Sequence, residues 1–348
     1  MVPDSWDALL IVSFGGPEGP SDVMPFLENT VRGRQVPRER LAEVAQHYEL
    51  FGGVSPINAQ SRALAFSIQA RLEVEGPALP VYLGNRNWKP YLATTLEDMM
   101  RSGVKNALAF IASPYCSYSS CGQYLDDLER SRSEVGPGAP TITWLRHYFN
   151  HPGFIEAVAD LASAALGSIP LERRASTAVA FTAHSIPVTM AAACGYTRQL
   201  QEAASLVAAR LDEFQRWDLV WQSRSGAPNS AWLEPQIGAH LEGLAEQGFS
   251  DVVVVPIGFI SDHIEVLYDL DTEARAVAGR LGLNLVRAPT VGIHPQFVDM
   301  IRELILERTR GLKPRQLGSL GVYPPGCHRT DPTAGGASPS TADSAHGL

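Results

Sequence analysis

Two stretches of the chain place titratable side chains where a buried run of residues ends. The first, Thr177-Ala-Val-Ala-Phe-Thr-Ala-His-Ser-Ile-Pro187, reads as a buried strand with His184 at its exit and Pro187 closing the turn. The second, Asp251-Val-Val-Val-Val-Pro-Ile-Gly-Phe-Ile-Ser-Asp-His-Ile-Glu-Val-Leu-Tyr-Asp269, is another such strand, followed by Asp262, His263 and Glu265. In open α/β sheets, ligands bind beyond the carboxyl ends of strands. A neutral imidazole and a carboxylate at such an edge can ligate a divalent metal or work as an acid–base pair. Glu265, Asp269 and Glu273 are spaced by four, so they share one helix face. Structural zinc usually takes four ligands, and no Cys/His quartet is visible in the sequence.

A second set of residues has a different chemistry. Arg32, Arg34, Ser55 and Tyr124 fall in expected loops or helix starts of the first half and are anion-binding or hydrogen-bonding types. Ser55, in Gly-Gly-Val-Ser-Pro56, fits an N-cap as well as a ligand contact. Phe14, Trp88 and Trp221 near strand ends suit either the wall of a flat aromatic ligand or a core.

The elements that must position these residues alternate. Strands are expected over 8–13, 81–84, 107–112 and 141–145, then over 178–183, 218–222, 251–255 and 284–287. Helical patterns over 37–50, 58–74, 91–101, 119–133 and 151–166, and over 198–214, 234–247, 264–281 and 295–309, separate them. Strands separated by helices imply right-handed βαβ units and parallel sheets. The expected fold class is α/β: two Rossmann-like lobes, each a four-stranded parallel sheet flanked by helices, with a cleft between them. The lobes are expected at 7–166 and 167–312, the second carrying the metal site, with a mostly disordered tail over 313–348. On this reading His184 and Glu265 follow the first and third strands of the second lobe. Gly15-Gly16 before Pro17 makes a tight turn but no phosphate loop, since neither GxGxxG nor Lys-Ser/Thr follows.

The 348 residues, 45% hydrophobic and 19% charged, belong to an ordinary globular protein. A net charge of −9 argues against a dominant nucleic-acid role, which needs a basic face. No apolar run reaches a membrane span, and the acidic N-terminus is unlike a signal peptide, so a cytoplasmic protein is expected. Cys116, Cys121, Cys194 and Cys327 form no CxxC pair, and a disulfide framework is not expected in that compartment.

With these residues in view the chain resembles the ferrochelatases of haem biosynthesis, over roughly residues 7–310. The resemblance is carried by Ser-Phe-Gly-Gly-Pro17, Arg32-Gly-Arg34, His47-Tyr-Glu-Leu-Phe-Gly-Gly-Val-Ser-Pro56, Ala183-His-Ser-Ile-Pro187, Trp221-Gln-Ser223 and Gly258-Phe-Ile-Ser-Asp-His-Ile-Glu-Val-Leu-Tyr-Asp269. It implies two Rossmann-like lobes around a porphyrin cleft and insertion of Fe²⁺ with release of two protons. His184 and Glu265 match the family's metal-site residues, with a histidine accepting protons. Ser55 and Tyr124 match porphyrin and propionate contacts, and Asp269 and Glu273 match an auxiliary acidic line. Phe14 stands where many bacterial members carry a tyrosine that ligates product iron, so an axial phenolate from this position is excluded. His47 stands where some members carry arginine.

Some actinobacterial-type members hold a [2Fe–2S] cluster on a cysteine-rich tail. This tail offers Cys327 and His328 alone, so no cluster is expected and iron enters as substrate. The expected substrate is coproporphyrin III, converted to coprohaem by a monomer. A polar helix over 37–50 would form the lip, and Arg32, Arg34, Phe14 and His47 would lie near the porphyrin. A protoporphyrin IX ferrochelatase, a cobalt or nickel chelatase and a non-catalytic tetrapyrrole carrier are the alternative readings.

Overall fold

The computed structural model describes residues 5–33, 36–225 and 230–324. Among the described residues, eight strands form two separate sheets: β1 (Ala8–Ser13), β2 (Val81–Asn85), β3 (Asn106–Ile111) and β4 (Thr141–Trp144), then β5 (Ala178–His184), β6 (Arg216–Gln222), β7 (Asp251–Val255) and β8 (Asn284–Arg287). Both sheets have the same order, β2-β1-β3-β4 and β6-β5-β7-β8, and every pairing is parallel. The repeated order makes β1 and β3, and β5 and β7, the inner strands of their sheets. That is why β1 and β7 read as unbroken apolar runs, not as alternating ones. The expected α/β fold with two parallel sheets is the observed one.

Helices in the first half include α1 (Pro20–Thr30), α2 (Arg38–Glu49), α3 (Ile57–Glu75), α4 (Leu92–Arg101), α5 (Gln123–Val135) and α6 (Pro152–Gly167). Helices α1 and α2 are inserted between β1 and α3. They bury Phe26, Leu27, Val44 and Tyr48 in a small core of their own that also takes in Ile264 from the second half. This insertion therefore bridges the two lobes above the strand ends.

The lobes share their largest core. One continuous cluster runs from Leu9, Ile11 and Phe110 of the first sheet to Phe181, Val253 and Val255 of the second. Helix α6, at the end of the expected first lobe, packs against β7, β8 and the helix Tyr196–Ala208. The last helix, Pro295–Thr309, returns to α3 and α6. Apolar surface that each sheet alone would expose is thus covered by the other half's helix.

Three local expectations change. The helix expected over 198–214 stops at Ala208. Two helices contain wide, i→i+5 bonded segments, Tyr118–Gly122 and Leu267–Ala274, a form that frequently marks functional sites. Residues 313–324, expected to belong to a disordered tail, are seated on the protein. The N–H of Leu317 donates to Asn150 O at 2.9 Å, and Glu202 accepts the N–H groups of Ser319 and Leu320 at 2.7 and 3.0 Å. Tyr323 packs edge-on against Phe149. Among the described residues, no helix is long and apolar enough to cross a membrane.

Candidate active site

Strand β5 ends in His184, and its neighbour β7 runs through Pro256 and a turn to Glu265. Parallel neighbours carry both residues to the same edge, where Nε2 of His184 lies 3.6 Å from Oε2 of Glu265. The tautomer follows from the other ring nitrogen. Nδ1 sits 2.6 Å from the carbonyl oxygen of Ser185, which can only accept, so Nδ1 carries the proton. Nε2 is left with a lone pair facing the carboxylate, able to take a proton or hold a cation.

The close approach of the two segments depends on Gly258. Its N–H donates to Thr182 O at 3.0 Å, and a Cβ built there would lie 2.6 Å from the Cβ of Ala183, the residue before His184. The His184 backbone is held from a third side by Tyr196, whose hydroxyl donates to His184 O at 3.0 Å.

Two cavities meet at Tyr48, His184 and Glu265. The first is walled by Phe14, Trp232 and Ile260 and carries a row of hydroxyls that includes Ser55 and Tyr124. Apolar walls with polar points suit an aromatic ligand bearing carboxylates. Arg86 braces this wall: its guanidinium lies 4.5 Å from the centre of the Tyr124 ring and 5.8 Å from that of Phe14, and it is paired with Asp127. Burial raises the Tyr124 phenol above its usual range, so it stays a neutral hydrogen-bond donor. Trp88 and Trp221 are buried in the packing and line neither cavity.

The second cavity, about 810 Å³, contains Glu265, Asp269 and Glu273 on one wall, with Arg40, Arg224 and Arg280 also in its lining. A divalent ion with six waters needs on the order of 200 Å³ at about 30 Å³ per water, so a hydrated ion fits. Asp269 and Glu273 lie in the wide helical segment Leu267–Ala274, and Glu265 in the helical turn just before it. Burial is the main force that pushes Asp269 up to about 7, while hydrogen bonds from Ser223 and Gln222 oppose it. Ser223 holds that position with φ at 60°, a left-handed conformation that costs a non-glycine residue about 1–3 kcal/mol. His47 stacks on Tyr268 at 3.6 Å, joining α2 to the second lobe at the cavity wall, and burial lowers its pKa.

The structure thus brings together His184, Glu265, Ser55, Tyr124 and Phe14 at the first cavity, and His47, Asp269 and Glu273 at the second. Arg32 is exposed in the turn after α1 and lines neither cavity. Arg34 lies outside the described residues, as do Cys327 and His328. Sequence reasoning did not single out Tyr48, Arg86, Ser223 or Tyr268. Ser223 and Tyr268 stood inside recognised motifs, whereas nothing local distinguishes Arg86 from a surface arginine. His263 also lines the first cavity; its Nδ1 accepts the Val266 N–H at 3.1 Å, capping the helix that carries Glu265.

The comparisons with known proteins agree with this geometry. The family model for ferrochelatase matches residues 6–309. The chain belongs to the ferrochelatase family. It is a metal-inserting lyase of haem synthesis, with a porphyrin and iron as substrates. It is 52% identical to the coproporphyrin III ferrochelatase of Nocardia farcinica, over 92% of this chain and 93% of that one. It is 49% identical to the coproporphyrin III ferrochelatase of Mycolicibacterium smegmatis, covering 90% and 93%. A ferrochelatase of Rhodopirellula baltica is also 49% identical, covering 95% and 97%. Among solved structures, SirB from Bacillus subtilis with Fe³⁺ shares the fold with a TM-score of 0.53 at 12% identity, covering 88% of this chain and 97% of that one.

Proposed function

We propose that this ferrochelatase inserts Fe²⁺ into coproporphyrin III, giving coprohaem and two protons, as a cytoplasmic monomer. The observation that carries the reading is the His184–Glu265 pair, 3.6 Å apart where the two cavities meet. The porphyrin occupies the first cavity, its ring against Phe14 and Trp232 and its propionates toward the hydroxyls of Ser55 and Tyr124. Ferrous iron arrives through the second cavity along Glu265, Asp269 and Glu273. As iron enters the macrocycle, each of two pyrrole nitrogens exchanges its proton for a bond to the metal. Nε2 of His184 accepts a proton, and Glu265 stabilises the imidazolium before the proton leaves along the acidic line. Phe14 has no oxygen to bind product iron, so the axial position is left to other groups.

Coproporphyrin is preferred over protoporphyrin because its two additional propionates match a polar rim. The outer face of α2 carries Arg38, Glu39, Arg40, Glu43 and Gln46. Arg32, exposed in the turn before α2, adds a peripheral cation, while His47 stacks on Tyr268 at the second cavity. The names of the Nocardia and Mycolicibacterium relatives favour the same substrate. One observation favours protoporphyrin instead: Leu50 and Val54, just past α2, are 65% and 45% exposed and would suit contact with a bilayer. Iron is substrate here, with no iron–sulfur cluster. A [2Fe–2S] cluster takes four protein ligands, and the tail sequence offers Cys327 and His328 alone.

The test is anaerobic iron insertion into both porphyrins, with and without detergent, read as kcat/KM. Better use of coproporphyrin in both conditions supports the proposal. Equal or better use of protoporphyrin overturns the substrate assignment, and binding without metallation overturns the enzymatic one.

A further inference from the structure

Strand β8 is an edge strand beside β7, and its last residue is Arg287. The parallel register sets Arg287 beside Val254, next to the point where the chain leaves β7 for the site. Arginines at strand ends mostly reach into solvent. This one turns inward, with 13% of its side chain exposed.

Its guanidinium spans two carboxylates. Nη1 donates to Oδ1 of Asp262 at 3.1 Å. Nε donates to Oδ1 of Asp271 at 2.9 Å, and Nη2 lies 2.9 Å from Oδ2 of the same residue. Asp262 is three residues before Glu265, in the turn after β7. Asp271 stands between Asp269 and Glu273 in Leu267–Ala274. Arg287, Asp262 and Asp271 line neither cavity, so they act from behind the wall. The Asp262 N–H also donates to Oε1 of Gln60, on α3 of the first lobe, at 2.8 Å. Arg275, more than half exposed, is a further cation 3.5 Å from Asp271.

The helical bonding pattern changes at Leu267, between Glu265 and Asp269. A side chain that braces both sides of that change fixes the spacing of the carboxylates in front of it. The planar fork of arginine suits the task, since it meets two carboxylates at set angles, whereas a lysine ammonium is a point charge on a flexible stem.

We propose, on the reading that Glu265, Asp269 and Glu273 carry the metal, that Arg287 is a positioning residue for metal insertion. By holding Asp262 and Asp271 together it sets the distance from Glu265 to Asp269 and Glu273, and so how readily the site takes its metal.

Zinc insertion by the full-length protein tests this, with Zn²⁺ and porphyrin varied in turn and the porphyrin that wild type uses better. Arg287→Lys keeps the charge and loses the fork. It should raise KM for Zn²⁺ by ~10-fold or more, the usual loss when a group that orients metal ligands is removed, and leave KM for porphyrin within ~2-fold of wild type. Arg287→Met should do at least as much. Arg287→Lys combined with Asp271→Asn should lose less than the two single effects together, because both cut one contact. Asp271→Asn alone serves if the Arg287 variants fail to fold by circular dichroism. An unchanged KM for Zn²⁺ in a folded variant, or equal rises for Zn²⁺ and porphyrin, overturns the proposal and leaves Arg287 a structural brace. Asp269→Asn separates the two readings. A raised KM for Zn²⁺ there, with none in Arg287→Lys, overturns the role of Arg287 alone, whereas no change in either overturns the metal path as well.

Discussion

Nε2 of His184 and Oε2 of Glu265 face each other at 3.6 Å across the β5–β7 pair, with the imidazole proton held on the opposite nitrogen by the Ser185 carbonyl. The pair is therefore arranged to receive a proton between them, and removing either member should fail differently. His184→Ala should lower iron or zinc insertion by ~10²–10⁴-fold, the usual loss for a general base, while porphyrin binding by fluorescence titration stays within a few-fold of wild type. Retention of half the activity would contradict the assignment.

Glu265 touches both cavities, whereas Asp269 lies only in the second. Glu265→Gln keeps the shape and removes the charge, so its loss in kcat should exceed that of Asp269→Asn by at least ~10-fold. Equal losses in parallel insertion assays would mean that the carboxylates act as one unit.

Asp269 gives a pH signature of its own. Burial raises its carboxyl from an ordinary value of 3.8 to about 7 in the folded protein. The folded state keeps this proton where the unfolded chain has lost it, so the group contributes stability that is fully present below the unfolded value. That contribution is lost progressively as pH rises toward 7 and is absent above it. Asp269→Asn has no such loss. Its melting temperature relative to wild type should rise between pH 5 and about 8, and a difference constant with pH would refute the assignment.

Gly258 is a test of position without chemistry. A methyl there meets Ala183 Cβ at 2.6 Å and its Cα at 2.7 Å, so Gly258→Ala should cost about 1–3 kcal/mol by overpacking. Because Ala183 precedes His184, insertion should also fall while the pH profile keeps its shape. A variant with wild-type kcat would show that the His184–Glu265 spacing has more tolerance than the contact implies.

Arg32 lies outside both cavities and is exposed. A propionate contact made at that rim acts equally on ground and transition states. Arg32→Ala, alone or combined with Arg34→Ala, should therefore raise KM for coproporphyrin by a few-fold and leave kcat unchanged. The change should be smaller for protoporphyrin, which carries fewer propionates. A fall in kcat instead would place Arg32 in the reacting complex.

Much of this molecule was legible in the chain because the signals are local. Buried parallel strands need unbroken apolar runs, so β1, β5 and β7 announced themselves, as did His184 at a strand exit and the four-residue spacing of the carboxylates. The tertiary structure alone decided the rest. Only parallel pairing of β5 with β7 brings His184 to Glu265, 81 positions apart in the sequence. Only the crossing of α6 and of Pro295–Thr309 between the halves makes one core of two lobes. The wide segment Leu267–Ala274 has no distinguishing sequence period, since it departs from an ordinary helix by a backbone bond shift and not by side-chain pattern. Arg86 and Ser223 acquire meaning from neighbours that are remote along the chain. Burial and contact are properties of the packed whole, which is why residue type and spacing alone did not reveal them.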